Sequence, residues 1–235
     1  MKWELDKKDI VLLAAYLGGD ALIGVDDPFL GWLAEQVEAR WPKTRQTLMR
    51  MGLAATEDGE MRIDAQLREA VLLCCHPRRF VSLSSFGNSP SKTTYNVADA
   101  RFVAVEDAGD SVRIYLREYA PEALRGALAE ALALPAGAKR FLENIVVPES
   151  VIDAVPGAEG QLLSDGMLSD MLSKPDIKTL VVLGDLSPGG TGIRTFGIYV
   201  KSDRILQIDE TGAGTLSLRS LTAGDVLAEI IGSIG

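Results

Sequence analysis

Histidine and cysteine are scarce: 235 residues contain one histidine, His76, and two cysteines, Cys74 and Cys75. Four-ligand zinc chemistry has almost nothing to draw on. A Ser-His-Asp or Cys-His relay would have to run through His76 alone. Basic residues are outnumbered, 24 Lys and Arg against 33 Asp and Glu, for a net charge of -9. Phosphate backbones are bound mainly through Lys and Arg, so this balance disfavours a nucleic-acid partner. Long apolar runs are missing too. No window approaches about 18 uncharged apolar residues, so no transmembrane helix and no membrane insertion are expected. The first nine residues carry Lys2, Glu4, Asp6, Lys7, Lys8 and Asp9, too many charges for a secretory signal. Adjacent cysteines rarely form a relaxed disulfide with each other, which suits two buried thiols in a cytoplasmic protein. What is present is ordinary: 47% hydrophobic and 24% charged residues, enough for a folded core. The length corresponds to about one and a half average domains.

The N-terminal part reads as helical. Ile10–Leu17 follows Asp6 and Asp9 and stops at Gly18-Gly19. Asp26-Asp27-Pro28 opens a second helix with Phe29, Trp32, Leu33 and Val37 on one face, interrupted at Trp41-Pro42. Thr44–Met51 makes a short third helix. Asp58-Gly59 between two short runs signals a hairpin, and Asp64 caps a helix over Ala65–Cys75. This order resembles a winged-helix region, with the third helix offering Lys43, Arg45 and Arg50 to DNA. The acidic runs Asp26-Asp27 and Glu57-Asp58-Gly59-Glu60 oppose that use.

The period then changes. Phe80–Ser84, Tyr95–Val105 and Val112–Arg117 read as strands, followed by a helix from Pro121 to Leu134. After a connector over Ala138–Pro156, an amphipathic helix spans Glu159–Ser173. Strands follow at Ile177–Leu186, Ile193–Val200 and Ile205–Ile208, with a short alternating Leu216–Ser220. Thr222 caps the last helix, with Asp225 at the reciprocal position. Residues 65–134 and 159–233 thus share one order of elements at an offset close to one hundred residues, without a shared motif. The expected fold is α+β. A winged-helix-like helical region (1–78) precedes a mainly antiparallel sheet of two pseudo-repeated three-stranded meanders flanked by helices. The first meander and its helix occupy 79–137, and the connector, helix, second meander and last helix occupy 138–235. Residues 79–235 are expected to pack as one body.

Candidate sites are few. Cys74-Cys75-His76 follows Val71-Leu72-Leu73 and reads as a buried helix end, with no metal. Gly184–Gly192 lacks the Gly-Lys-Ser/Thr ending of a phosphate loop and reads as a turn; no cofactor is expected. Asp209-Glu210 could supply an acid–base pair only if two environments split their pKa values. The helix bearing Leu162, Met167, Leu168 and Met171 could present an adaptable apolar face to a protein.

The C-terminal third resembles a known family. Thr195-Phe196-Gly197-Ile198-Tyr199-Val200, Asp203-Arg204-Ile205-Leu206-Gln207-Ile208, then Thr222 into Val226-Leu227-Ala228-Glu229-Ile230-Ile231 are similar to the closing strands and helix of EspG-type chaperones of type VII (ESX) secretion. Glu4-Leu5 leading to Val11-Leu12-Leu13-Ala14-Ala15 is similar to their opening segment. The resemblance implies a quasi-two-fold protein with a central antiparallel sheet and helical lobes. It further implies a cytosolic protein that shields an apolar end of a secreted helical substrate. It carries over no functional residue. The expected function is therefore non-enzymatic binding of a protein partner. The alternative is a winged-helix regulator with an attached sensor module, and the least favoured is an enzyme using Asp209 or Glu210.

Overall fold

The computed structural model describes residues 1–86, 90–107, 112–150, 166–190, 192–212 and 214–234. In chain order the elements are β1 (Lys2–Asp6), α1 (Lys7–Tyr16), α2 (Ala34–Arg50), β2 (Ala54–Glu57), β3 (Glu60–Ile63), α3 (Ala65–Cys75), β4 (Arg79–Phe86), β5 (Ser91–Ala98), β6 (Arg101–Asp107) and β7 (Arg113–Tyr119). They continue with α4 (Pro121–Ala131), β8 (Ile145–Pro148), α5 (Gly166–Ser173), β9 (Ile177–Asp185), β10 (Gly192–Lys201), β11 (Arg204–Gly212), β12 (Thr215–Leu221) and α6 (Ala223–Ile234). The class is α+β, with ten strands of antiparallel sheet flanked by helices and a separate β2–β3 hairpin. Two compact units divide the chain: residues 1–79 with 92–121, and residues 80–91 with 122–235. The N-terminal helices therefore share a unit with β5, β6 and β7.

In the first unit the strand order is β1-β7-β6-β5. Alternation on β1, β7 and β6 turns Trp3, Leu5, Ile114, Leu116, Val103 and Val105 into one core. Ile10, Leu13 and Ala14 of α1 and Leu67, Ala70, Val71 and Cys74 of α3 close over it. Helix starts are fixed by carboxylates: Asp6 accepts from Lys8 N at 2.8 Å and Asp64 from Leu67 N at 2.9 Å. The Asp58-Gly59 hairpin forms as expected, both residues with positive φ.

Several expectations change here. The second and third helices are one helix, α2, because Pro42 sits exposed within it and forfeits a hydrogen bond without ending the helix. Two helices, rather than three, precede the hairpin, and Phe29 and Trp32 lie in the turns before α2. Tyr95–Val105 is two strands, not one, reversed at Asp99-Ala100 with φ of 48° and 63°. The order of elements consequently runs α3, four strands (β4 to β7) and α4, then α5, four strands (β9 to β12) and α6. The short strands β1 and β8 were not expected, and each pairs with the fourth strand of its set, β7 and β12.

In the second unit the order is β4-β9-β10-β11-β12-β8. Phe80 lies against Gly184 and Ser85 Oγ is 3.1 Å from Thr179 Oγ1, which sets β4 antiparallel to β9. Helix α6 buries Val226, Leu227, Ile230 and Ile234 and contacts β9 and β12. Its start is the expected reciprocal cap: Asp225 N donates to Thr222 Oγ1 at 3.2 Å, and Thr222 N to Asp225 Oδ2 at 2.9 Å. Those bonds from Thr222, with Arg140 beside it, hold the Asp225 carboxyl below its ordinary value against a small effect of burial.

A Cβ on Gly184 would fall 2.1 Å from the Phe80 ring. Gly184→Ala is accordingly expected to destabilise the protein by about 1–3 kcal/mol in urea unfolding, as overpacking does. Pairing it with Phe80→Leu should recover part of the loss. An unchanged midpoint in the single variant would contradict the packing.

Candidate functional site

Strand alternation places Lys178 and Leu180 of β9 on one sheet face. The register sets Leu180 opposite Gly197 and Lys178 opposite Tyr199, and Gly197 in turn opposite Ile208. Gly197 is the element that makes a site. A glycine inside a bulky strand leaves a gap where a side chain would stand, and the Tyr199 ring closes one side of it, 3.0 Å from where a Cβ would be. Phe86, at the end of β4, closes another. The result is a groove of about 440 Å³ lined by Phe86, Lys178, Thr179, Leu180, Gly197, Tyr199 and Ile208. Phe86 is 53% exposed and Leu180 38% exposed. Helix α5 covers the neighbouring part of the same face, where Leu168 and Met171 pack with Tyr199, Leu206, Ile208, Leu218 and Val147. Lys178 is the one charged residue in the lining, its ammonium 5.3 Å from the Tyr199 ring centroid. Such a lining can hold an apolar side chain or helix end and offers no nucleophile–base pair.

The expected site residues fall elsewhere. Leu162 lies outside the described residues, as does the side chain of Met167. Leu168 and Met171 point into the core. Lys43 and Arg50 are exposed on α2, and Arg45 donates to Thr56 Oγ1 at 3.3 Å. Lys43 and Arg50 line a polar pocket with Arg40, Arg113 and the acids Glu4, Asp6 and Asp9, in which Arg40 pairs with Asp9 and Arg113 with Glu4. Asp209 and Glu210 are successive on β11 and so face opposite ways. Asp209 is 2.5 Å from Arg194 and 3.3 Å from Arg219, while Glu229 is 2.7 Å from Arg194 and 3.1 Å from Arg219. Gln207 Nε2 donates to both acids, at 2.8 and 3.2 Å. Asp209 is thus tied to two guanidiniums on one face while Glu210 stands exposed on the other, so the two carboxylates do not converge on one site. Among the described residues no group of three or more metal-ligating side chains converges. Of the expected Gly184–Gly192 turn, Gly184 and Asp185 end β9 and the reversal follows at Ser187–Gly190: Ser187 N donates to Asp185 Oδ1 and Gly190 N to the Ser187 carbonyl. The groove residues were missed because they come together only through register. The legible signal was Gly197 inside Phe196-Gly197-Ile198-Tyr199.

Among solved structures, the chain is similar to the Mycobacterium tuberculosis type VII secretion system chaperone EspG5, solved in complex with the PE25-PPE41 dimer. The match has a TM-score of 0.68 at 10% identity and covers 100% of this chain and 95% of that one. What the two share is the EspG5 fold. No family model and no curated protein matches the sequence. The EspG5 likeness takes in both compact units, including the groove strands β4 and β9 to β11. No helix among the described residues is long and apolar enough to cross a membrane.

Cys74 and Cys75 form the remaining cluster. Cys74 is fully buried, and burial first, then the neighbouring Cys75, push its thiol well up against a hydrogen bond with Asn96. Cys75 is pushed up to about 11 by burial, with Asp20 adding to it. Reactivity follows the thiolate fraction, so iodoacetamide at neutral pH should label both cysteines at least about a hundredfold more slowly than in the unfolded chain. Mass spectrometry over a pH series checks this. Fast labelling of Cys75 near pH 7 would contradict it.

Proposed function

We propose that this chain is a cytoplasmic, non-enzymatic chaperone of the EspG type, holding an apolar end of a helical secretion substrate in the groove of its second unit. The observation that carries the reading is the groove itself. Phe86 and Leu180 stand exposed around a glycine gap on a sheet face whose neighbouring surface is already sealed by α5. Large apolar side chains grouped around a concavity are a signature of a partner surface. The EspG5 fold supports the same reading. Burying the tip of a helical substrate there removes apolar surface from water on both partners, which is a principal driving force for such association.

Co-expression with helical proteins encoded beside a type VII system of the source organism tests the proposal. A soluble complex should form with one of them, and Leu180→Asp should reduce its recovery at least about tenfold by setting an unpaired charge in an apolar contact. Leu180 is already part-exposed, so the variant should remain folded by circular dichroism. No complex with any candidate, or a complex indifferent to Leu180→Asp, would overturn it.

A further inference from the structure

A second apolar surface lies in the first unit, on the first half of α2 and the turn before it. Leu33, Val37, Thr44 and Leu48 fall on one face of α2 by helical spacing. The face behaves differently along its length. Leu48 and Thr44 are fully buried, whereas Leu33 is 68% exposed and Val37 is only part-buried. The helix runs on past the body that covers its C-terminal half. The preceding turn adds Leu30, 86% exposed, and Trp32, which meets Phe29 edge to face. The turn is built rather than loose: Phe29 N donates to Asp27 Oδ1 at 2.9 Å, Trp32 N to the Phe29 carbonyl at 2.8 Å, and Gly31 adopts φ 84°. The chain therefore holds Leu30, Trp32 and Leu33 outward beside the part-buried Val37 in a fixed arrangement, an arrangement that would be costly in water without a use.

Charge selects among possible occupants. Asp26 and Asp27 precede the patch, and Glu35 and Glu38 stand on the first turns of α2. Lys92 pairs with Asp26, and Lys8 lies over the Trp32 ring. The excess is acidic. An acidic surface is repelled by anionic membranes, and a second copy would bring like charges together. An amphipathic helix with Lys or Arg beside its apolar stripe satisfies both the apolar and the electrostatic demand. We propose that the Leu30–Val37 surface is a docking site for a basic amphipathic helix of a partner protein, separate from the groove of the second unit.

Fluorescence anisotropy with two labelled helical peptides tests this, both with leucines at helical spacing, one flanked by lysines and one by glutamates. The lysine peptide should bind and the glutamate peptide should not. The Leu33→Ser/Val37→Ser variant, which keeps every charge, should weaken binding at least about tenfold. Glu35→Gln/Glu38→Gln should weaken it and flatten its salt dependence. Leu180→Asp should leave it unchanged, which separates this test from that of the groove. Equal binding to the double serine variant would show mere attraction to a chain of net charge -9 and overturn the proposal. Absence of binding would overturn it too. Self-association, or binding to phosphatidylserine vesicles, that is lost in the double serine variant would assign the patch to those occupants instead.

Discussion

An antiparallel sheet has two faces and two edges, and each must be covered, charged or used. In the first unit α1 and α3 cover the face formed by Trp3, Leu5, Val103, Val105, Ile114 and Leu116. In the second, α6 lies across one face, while α5 packs on the other over Tyr199, Leu206, Ile208, Leu218 and Val147. Among the described residues, the groove lies on that face beside α5. The same constraint governs the edges. Strand β1 ends the first unit's order with Lys2, Glu4 and Asp6 alternating against buried Trp3 and Leu5, and β8 is four residues closed by Pro148. Charge, brevity and proline are the usual means of keeping an edge from pairing with another chain.

Polar groups inside the second unit are organised into one ion-paired cluster. Arg194 and Arg219 hold Asp209 and Glu229 in one neutral cluster with buried Gln207. That cluster ties β10, β11 and β12 to α6. A carboxylate held by two guanidiniums is committed to structure, since freeing it would strand the cations. Cys74 is likewise committed to the core of the first unit and Cys75 to packing beneath Gly19, whose added Cβ would lie 2.5 Å from the Cys75 sulfur.

Local signals were legible and long-range ones were not. Asp58-Gly59 and the Thr222–Asp225 cap were read correctly because each turns on a few adjacent residues. The reversal at Asp99-Ala100 was not, because it uses no glycine and leaves two strands looking like one. Pro42 misled in the opposite sense, since a proline on an exposed helix face can be tolerated when the rest of the helix is held. Strands β1 and β8 are short and exist by pairing with β7 and β12, more than sixty residues away in the chain. The groove has the same origin. Phe86, Leu180 and Gly197 are unremarkable singly and become a site only in register. The apolar stripe on α5 was visible in the sequence, but which side of the helix met the core was not, and Leu168 and Met171 turned inward.

The central claim is that the open sheet face of the second unit is where a protein partner sits. Hydroxyl-radical footprinting of the chain, free and in complex with its substrate, tests it most directly. The account predicts strong oxidation of Phe86 and Leu180 in the free protein and protection of both in the complex, with Val146 on β8 unchanged. Undiminished oxidation of Phe86 and Leu180 in a complex that protects other residues would contradict it.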